Sequence, residues 1–514
     1  LTAGEMEAAI QIVAANRQEL MNEEHFQRLW RWLQQFPQHS IEESPDLLLI
    51  QARSAQIQRF DMAEVIRISD KVDVLVNALP LEPQRAERML AESGALRSAS
   101  HYFALDPQAA LAYCRNGLEI MPRQWYALRS YCWIYGAAAL QMMGDLSGAY
   151  DWIQQGRCED VEVSGGPQAR NAIAEGFVSW MAADLASLQR VGEFALRVST
   201  DSRWHSLGWA HYFLACVHYH RNDLDSALYH AKKTFDRRYV IHGLANVYSA
   251  FIMAMIQQAR GEPEAALETV SLAADYANEI RSTPFIIMVQ SFQAELAVLQ
   301  GRARELMQWE EQSCLSVRLS AMPFFYAPPL TIPKVLLSIG TPGSLVKAAD
   351  CLQRLHAFAE STHNARVLVE VLALEALYHA ANHDEEAAMA VLEESLALAQ
   401  SSGFIRLYVD LGPKMAELLR HLHNCEPYAE YITNILGAFA DAAWLNSEPA
   451  GNGQLIEPLT ERELERLALL GKRYSNTEIA AELVISPETV KRHAINIYQK
   501  LAVHNRRDAV EVAG

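Results

Sequence analysis

Short turns interrupt this 514-residue chain at nearly even steps, and that regularity restricts its fold more than any other property. In one unit Ala137, Ala138 and Leu140 lead to the turn Gly144-Asp145, then Ala149 and Trp152. In another, Trp209, Phe213 and Val217 precede Asn222-Asp223, followed by Ala227, Leu228 and Ala231. A third runs from Phe251, Ala254 and Ile256 through Gly261-Glu262 to Ala265, Ala266 and Val270. Fainter turns at Phe60-Asp61, Asp106-Pro107, Ala183-Asp184, Gly301, Thr341-Pro342-Gly343 and Asn382-His383 extend the series, with steps between 38 and 46 residues. Apolar residues at helical spacing on both sides of such a turn make each unit a helical hairpin, and small residues let its two helices approach closely. A lone hairpin of this size cannot bury its apolar surface, so neighbours stack. The expected fold is all-α, with an α-solenoid over residues 1–444. The period exceeds the about 34 residues of a standard tetratricopeptide unit, and armadillo and HEAT units come close to it. The polar turn followed four or five residues later by Ala favours tetratricopeptide-like hairpins with lengthened helices.

Composition agrees with a folded, helical chain. Half the residues are hydrophobic, and 24 Gly with 19 Pro are too few for a disordered or collagen-like protein. The seven cysteines are scattered, odd in number and without a Cys-x-x-Cys pair, which argues against a disulfide framework and for a reducing cytoplasm. No run of 18 apolar residues and no basic-then-apolar leader occurs, so neither a membrane span nor an export signal is expected. The chain starts at Leu1 rather than Met, which suggests an upstream segment.

Catalytic signatures are missing from the sequence. There is no Gly-x-x-x-x-Gly-Lys-Ser/Thr phosphate loop, and Gly340 to Lys347 has the wrong spacing and sits at a repeat turn. Gly-x-Ser-x-Gly and His-Glu-x-x-His are likewise absent. In His421-x-His423-x-Cys425, residues two apart on a helix point about 200° apart, so no metal site is expected there. Rings and imidazoles concentrate in two places: Trp125, Tyr126, Tyr131, Trp133 and Tyr135, then Trp204, His205, Trp209, His211, Tyr212, His218, Tyr219 and His220. His205, Trp209 and Tyr212 share one helical face and could line a ligand groove. Packing between hairpins is the simpler reading, and no ligand contact is assigned.

The pattern changes after Trp444. Residues 445–457 are polar and rich in Gly and Pro, a linker composition, and residues 458–514 form a separate module. Thr460 with Glu463, and Ser475 with Glu478, are capping boxes that open two helices. Ser486 caps a third helix with Pro487 at its first position, and Asn505 opens a fourth. On the third helix Val490, Ala494, Ile497 and Leu501 form the buried stripe, leaving Glu488, Lys491, Arg492, Ile495 and Gln499 outward. Four short helices in this order suit a helix-turn-helix domain whose third helix enters the major groove. Lys491 and Arg492 suit guanine edges or phosphates, and Ile495 suits a thymine methyl.

The residues Leu459-Thr460, Arg462-Glu463, Ser475-Asn476, Glu478-Ile479-Ala480, Ile485-Ser486, Thr489-Val490-Lys491, His493, Asn496-Ile497-Tyr498, Lys500-Leu501, Val503 and Arg506 resemble the LuxR-type helix-turn-helix along some 55 residues. The resemblance implies a recognition helix from Thr489 to Lys500 and a last helix that supports dimerisation. It also implies DNA contacts from Ser475, Asn476, Thr489, Lys491, Arg492, Ile495, Asn496, Lys500 and Arg506. Family members often carry Gly where this chain has Arg473, a further cation near the backbone. Upstream, Gly403-Phe404-Ile405-Arg406, Tyr408-Val409-Asp410, Gly412, Leu418-Leu419 and Tyr431 to Phe439 resemble the end of the sensor region of MalT-like regulators. Leu29 to Pro37 and Pro45 to Leu49 resemble its start. Such proteins usually carry an N-terminal nucleotide-binding domain, so ATP is expected only for a longer parent and no cofactor for this chain.

The net charge of -18 divides unevenly. Residues 459–514 hold nine basic and eight acidic residues, +1 in all, and residues 1–458 carry -19. A nearly neutral reader tied to an acidic solenoid should bind DNA weakly alone, because phosphate neutralisation supplies most of the affinity. Self-association on repeated promoter half-sites of double-stranded DNA is therefore expected. The combined expectation is a non-enzymatic bacterial transcription activator whose solenoid senses a small inducer or a regulatory protein, with RNA polymerase as a further partner. A protein-binding scaffold with a non-essential DNA module is the alternative.

Overall fold

The computed structural model describes residues 3–159, 166–199, 204–302, 305–306, 309, 324–423 and 427–441, together with 469, 474, 479 and 490. All regular structure among them is helical. The chain divides into two compact units, Leu1–Asn446 and Ser447–Gly514.

In the first unit, helices α1 (Ala3–Asn22), α2 (Phe26–Leu33) and α3 (Gln38–Glu43) precede the repeats. The first hairpin pairs α4 (Pro45–Ser54), extended by a π-turn at Ala55–Arg59, with α5 (Met62–Ala78). There follow α6 (Pro83–Phe103) with α7 (Pro107–Ile120), α8 (Tyr126–Met142) with α9 (Leu146–Glu159), and α10 (Gly166–Met181) with α11 (Leu185–Val198). Next come α12 (Trp204–His220) with α13 (Leu224–Phe235), α14 (Gly243–Ala259) with α15 (Pro263–Glu279), and α16 (Thr283–Leu299). Beyond Phe324, α17 (Pro328–Ile339) pairs with α18 (Pro342–Ser361), and α19 (Ala365–Ala381) with α20 (Glu385–Ala399). The last helices are α21 (Arg406–Val409), α22 (Pro413–His421) and α23 (Ala429–Asp441).

The hairpin turns share one chemistry. Each first helix ends on a residue with positive φ, and the next residue takes the N-cap position of the second helix, with a side-chain cap at every turn but that of Glu262. The left-handed residues Leu105, Gly144, Ala183, Asn222 and Gly261 follow one another at intervals of 39 residues. At Ala183 the amide donates to Trp180 O at 3.0 Å, and the Asp184 amide donates to Ser179 O at 2.8 Å. These two bonds satisfy carbonyls that the helix end leaves open. Asp184 then accepts from the Ser187 amide at 2.9 Å, closing the first turn of α11. Asp106, Asp145, Asp223 and Asp384 do the same at their own turns.

Burial separates the two helices of each hairpin. In α14 nearly every residue from Gly243 to Ala259 is buried, whereas α9 buries only Ala149, Ile153 and Gly156. The first helices thus form an inner layer with neighbours on all sides, and the second helices present one apolar stripe inward. Glycine sets the spacing in α8 and α9, where Trp152 lies over Gly136 and Trp133 over Gly156. The two indoles meet edge to face at 5.2 Å.

The solenoid closes on itself. Ser282 Oγ donates to Arg59 O at 2.6 Å, and Gln141 Nε2 donates to His363 O at 2.7 Å, each across more than 220 residues. The Ile405 amide donates to His220 O at 2.6 Å, and the Tyr219 hydroxyl donates to Asp410 at 2.7 Å. Phe324, Phe325 and Tyr326 fill the interior: Phe324 packs on Phe177 and Trp209, Phe325 on Tyr219 and Tyr326 on Phe292.

Two substitutions test this construction. A Cβ at residue 136 would lie 2.4 Å from Trp152 Nε1, so Gly136→Ala should cost about 1–3 kcal/mol in denaturant unfolding. Leu105, at φ 64°, carries a Cβ in a conformation that suits glycine, so Leu105→Gly should raise stability by up to about 1 kcal/mol in the same measurement.

Candidate ligand cleft and DNA-reading module

The two aromatic and histidine clusters separate by helix face. On α8, Tyr131 and Tyr135 turn to the interior, Trp133 turns to α9, and Trp125 and Tyr126 stay half-buried at the helix start. On α12, His205, Trp209 and Tyr212 point inward as their shared face requires. His211 and His218 turn toward α13: His211 Nδ1 lies 2.8 Å from His230 Nδ1, and His218 Nδ1 lies 2.9 Å from Asp223. Tyr219 and His220 support the returning C-terminal segment. The side chain of Trp204 lies outside the described residues. Packing and lining are thus both present, on different residues of the same helix.

The inward groups line a cleft of about 40 Å³ between α4, α8, α10, α12 and α14. Its polar lining includes Arg53, Ser130, Tyr131, Tyr135, Arg170, His205 and His242, and Phe177, Trp209 and Phe324 supply rings. Arg53 stands over the Tyr131 ring at 4.1 Å and donates to Gln56 Oε1 at 2.8 Å. Arg170 donates to Glu24 Oε1 at 2.9 Å, and Glu24 also accepts from the Ser206 amide at 3.0 Å and from the Ser206 hydroxyl. His242 Nδ1 accepts from the Leu244 amide at 3.2 Å and so caps α14, a bond that only a neutral Nδ1 can take. The His205 ring sits 5.0 Å from Phe26 and 5.5 Å from His242.

Burial dominates the electrostatics here. It holds His205 well below the ordinary imidazole range, aided by the neighbouring His242, Arg53 and Arg170. Burial and then Arg53 pull His242 down to about 3. Burial also lowers Arg53, which nonetheless stays charged. Sequence reasoning found the rings and His205 but missed Arg53, Arg170, His242 and Phe324. The available signal was a single charged residue inside an otherwise uncharged inner helix, as in Leu47 to Ile57.

A larger depression of about 380 Å³ lies on the outer surface between α18 and α19. Its floor is already satisfied, since His356 Nδ1 meets both Glu375 oxygens at 3.0 and 3.1 Å. Of the second unit, the described residues are Leu469, Tyr474, Ile479 and Val490. Val490, expected on the buried stripe of the third helix, is buried, as is Ile479. The nine expected DNA contacts, Ser475, Asn476, Thr489, Lys491, Arg492, Ile495, Asn496, Lys500 and Arg506, lie outside the described residues, as does Cys425. Among the described residues no helix is long and apolar enough to cross a membrane.

A closed tetratricopeptide-like solenoid followed by a small second unit defines a helical-repeat protein. Residues 91–425 match the family described as MalT-like TPR region, and residues 457–513 match bacterial regulatory proteins of the luxR family. The chain belongs to the MalT-like TPR family, and its architecture is that of a DNA-binding transcriptional regulator of the LuxR/MalT type. Similar proteins include the HTH-type transcriptional regulator MalT of Cronobacter sakazakii (strain ATCC BAA-894), 32% identical over 181 residues, covering 30% of this chain and 19% of that protein. MalT of Klebsiella pneumoniae (strain 342) is 33% identical over 166 residues, covering 28% and 18%, and MalT of Serratia proteamaculans (strain 568) is 34% identical over 151 residues, covering 24% and 16%. The matched stretch thus spans less than a fifth of each of these relatives. Among solved structures, a Rap protein complexed with Competence and Sporulation Factor aligns at 13% identity with a TM-score of 0.44, covering 78% of this chain and 99% of that one.

The two cleft imidazoles, His205 and His242, contribute a pH dependence, and the buried His220, also held well below the ordinary range, adds to it in the same direction. The unfolded chain protonates them near pH 6.5 and the folded chain resists, so the unfolded state binds more protons below about pH 6.5, for His242 down to about pH 3. Stability should therefore fall as pH drops below about 6.5, by up to about 1.4 kcal/mol per unit for each group. His242→Asn, which keeps a capping side chain, should flatten the fall in urea midpoint between pH 7 and pH 5.

Proposed function

We propose that this chain is a cytoplasmic, DNA-binding transcription activator. Residues 1–444 act as the sensor, 445–457 as the linker and 458–514 as the reader of promoter DNA. A small inducer or a regulatory protein engages the solenoid and controls assembly of the readers on repeated half-sites, where they meet RNA polymerase. The observation that carries the reading is the luxR-family match over residues 457–513, directly after a helical-repeat unit. The MalT relatives, named as transcriptional regulators, support it. The interior cleft supports the sensing role, since convergent polar groups among rings suit a ligand.

In this reading the helix from Thr489 to Lys500 enters the major groove. Lys491, Arg492 and Lys500 meet guanines and phosphates, Ile495 meets a thymine methyl, and Ser475, Asn476, Thr489, Asn496 and Arg506 fix position on the backbone or at base edges. With a reader of only +1, one copy neutralises few phosphates, and affinity depends on several copies acting together.

The test is DNA binding by the full chain to a selected promoter fragment. Lys491→Ala with Arg492→Ala should reduce affinity at least tenfold at about 0.15 M salt and make its salt dependence shallower by about one to two, with the helical circular dichroism unchanged. Unchanged binding by that folded variant would favour the scaffold role instead. On DNA with two half-sites the wild-type binding curve should be steeper than on DNA with one.

A further inference from the structure

Six arginines are buried among the described residues of the solenoid: Arg17, Arg53, Arg129, Arg170, Arg366 and Arg406. Five of them are ion-paired. Arg17 holds Asp46 at 3.0 Å and Glu92 at 2.5 Å, Arg129 holds Glu159, Arg170 holds Glu24, Arg366 holds Glu370, and Arg406 holds Asp410. Arg53 has no carboxylate within ion-pair distance among the described residues. Its partners are the neutral Gln56 and the faces of Tyr131 and, at 5.8 Å, Phe26, and its Nε has no hydrogen-bond partner. The carboxylate that acts on it electrostatically, Glu92, is already engaged by Arg17 and Gln18. Leaving a guanidinium buried and unpaired costs several kcal/mol, and a fold that pairs its other buried arginines has left this one open toward a cleft.

The rest of the cleft fits the same chemistry. His205 presents an Nδ1 without a partner, and Ser130 and Arg170 stand in the same lining. The free volume of about 40 Å³ has room for about three water-sized spheres, the scale of a carboxylate with one or two attached carbons or of a bare phosphate. Trp209, Phe177 and Phe324 bound it with apolar surface, so a fully hydrated ion such as chloride gains little there, and an anion with a short apolar tail gains more.

We propose that this cleft binds a small organic anion, whose carboxylate or phosphate group meets Arg53 and whose apolar remainder lies against Trp209 and Phe177. The proposal deepens the sensor reading above and rests on it for regulation, but not for binding. Anion binding supplies the charge that Arg53 lacks, so a charged ligand is favoured over a neutral one of the same shape.

Thermal melting of the full chain tests it with three probes at constant background salt: propionate, the neutral propionamide, and inorganic phosphate. Saturable stabilisation by propionate and not propionamide is expected if the group is a carboxylate, and by phosphate if it is a phosphate. Arg53→Met should weaken that binding at least tenfold in a chain that still folds, since removing an unpaired buried charge offsets loss of the Gln56 hydrogen bond and the Tyr131 contact. If that variant fails to fold, Ser130→Asp decides, since a carboxylate placed in the lining should block both anions. Equal effects of propionate and propionamide, no effect of either anion, or unchanged binding in the folded Arg53→Met chain would overturn the proposal. DNA binding with and without the anion separates the two readings. Occupancy that leaves DNA affinity unchanged removes the sensor role and keeps the site. A DNA response to some other compound, with no anion binding, keeps the sensor role and removes the site.

Discussion

Everything in the solenoid turns on how each inner helix ends. A left-handed residue stops the helix, two backbone bonds satisfy its last carbonyls, and the following residue, most often Asp, starts the outer helix. The turn has one geometry, so equal helix lengths give equal steps, here 39 residues from Leu105 to Gly261. Equal steps bring each inner helix against the last at a constant rotation. That constancy winds the array and leads Arg59 to Ser282 and Gln141 to His363.

The periodicity was legible because Gly144, Asn222 and Gly261 are residues that tolerate positive φ and their successors cap helices. The strict interval was not. Leu105 and Ala183 occupy the same position without a turn-forming side chain, so those steps looked irregular in sequence. Here the surrounding packing imposes the backbone conformation. Part of the functional site was legible for a similar reason. Helical spacing places His205, Trp209 and Tyr212 on one face, but no local rule brings Arg53 of α4, Arg170 of α10 and Phe324 into the same lining. Those meet only because the array curves back. The DNA contacts were read from motif chemistry and resemblance, where each capping residue and groove-facing residue has its own reason.

Buried charge ties the entry of the chain to its middle. Arg17 of α1 joins Asp46 of α4 and Glu92 of α6, and Glu24 beyond α1 joins Arg170 and Ser206. Desolvating these groups is expensive, and the net gain over apolar packing is small. What such pairs add is direction: each acceptor satisfies particular donors from particular hairpins, so a helix rotated or shifted by one turn would leave charges stranded. Similar logic holds the other end, where Lys334 bridges Glu295 and Glu370 at 2.5 and 2.8 Å.

Closure of the ring of hairpins has a consequence for how such a chain can change over generations. An open repeat array tolerates gain or loss of a unit, since each unit answers only to its neighbours. Here Ser282 must reach Arg59, and His220 must reach Ile405, across a fixed number of intervening hairpins. Adding or deleting one hairpin between them would break every such meeting at once. The count of hairpins is therefore locked, and variation is channelled into the residues that face the interior.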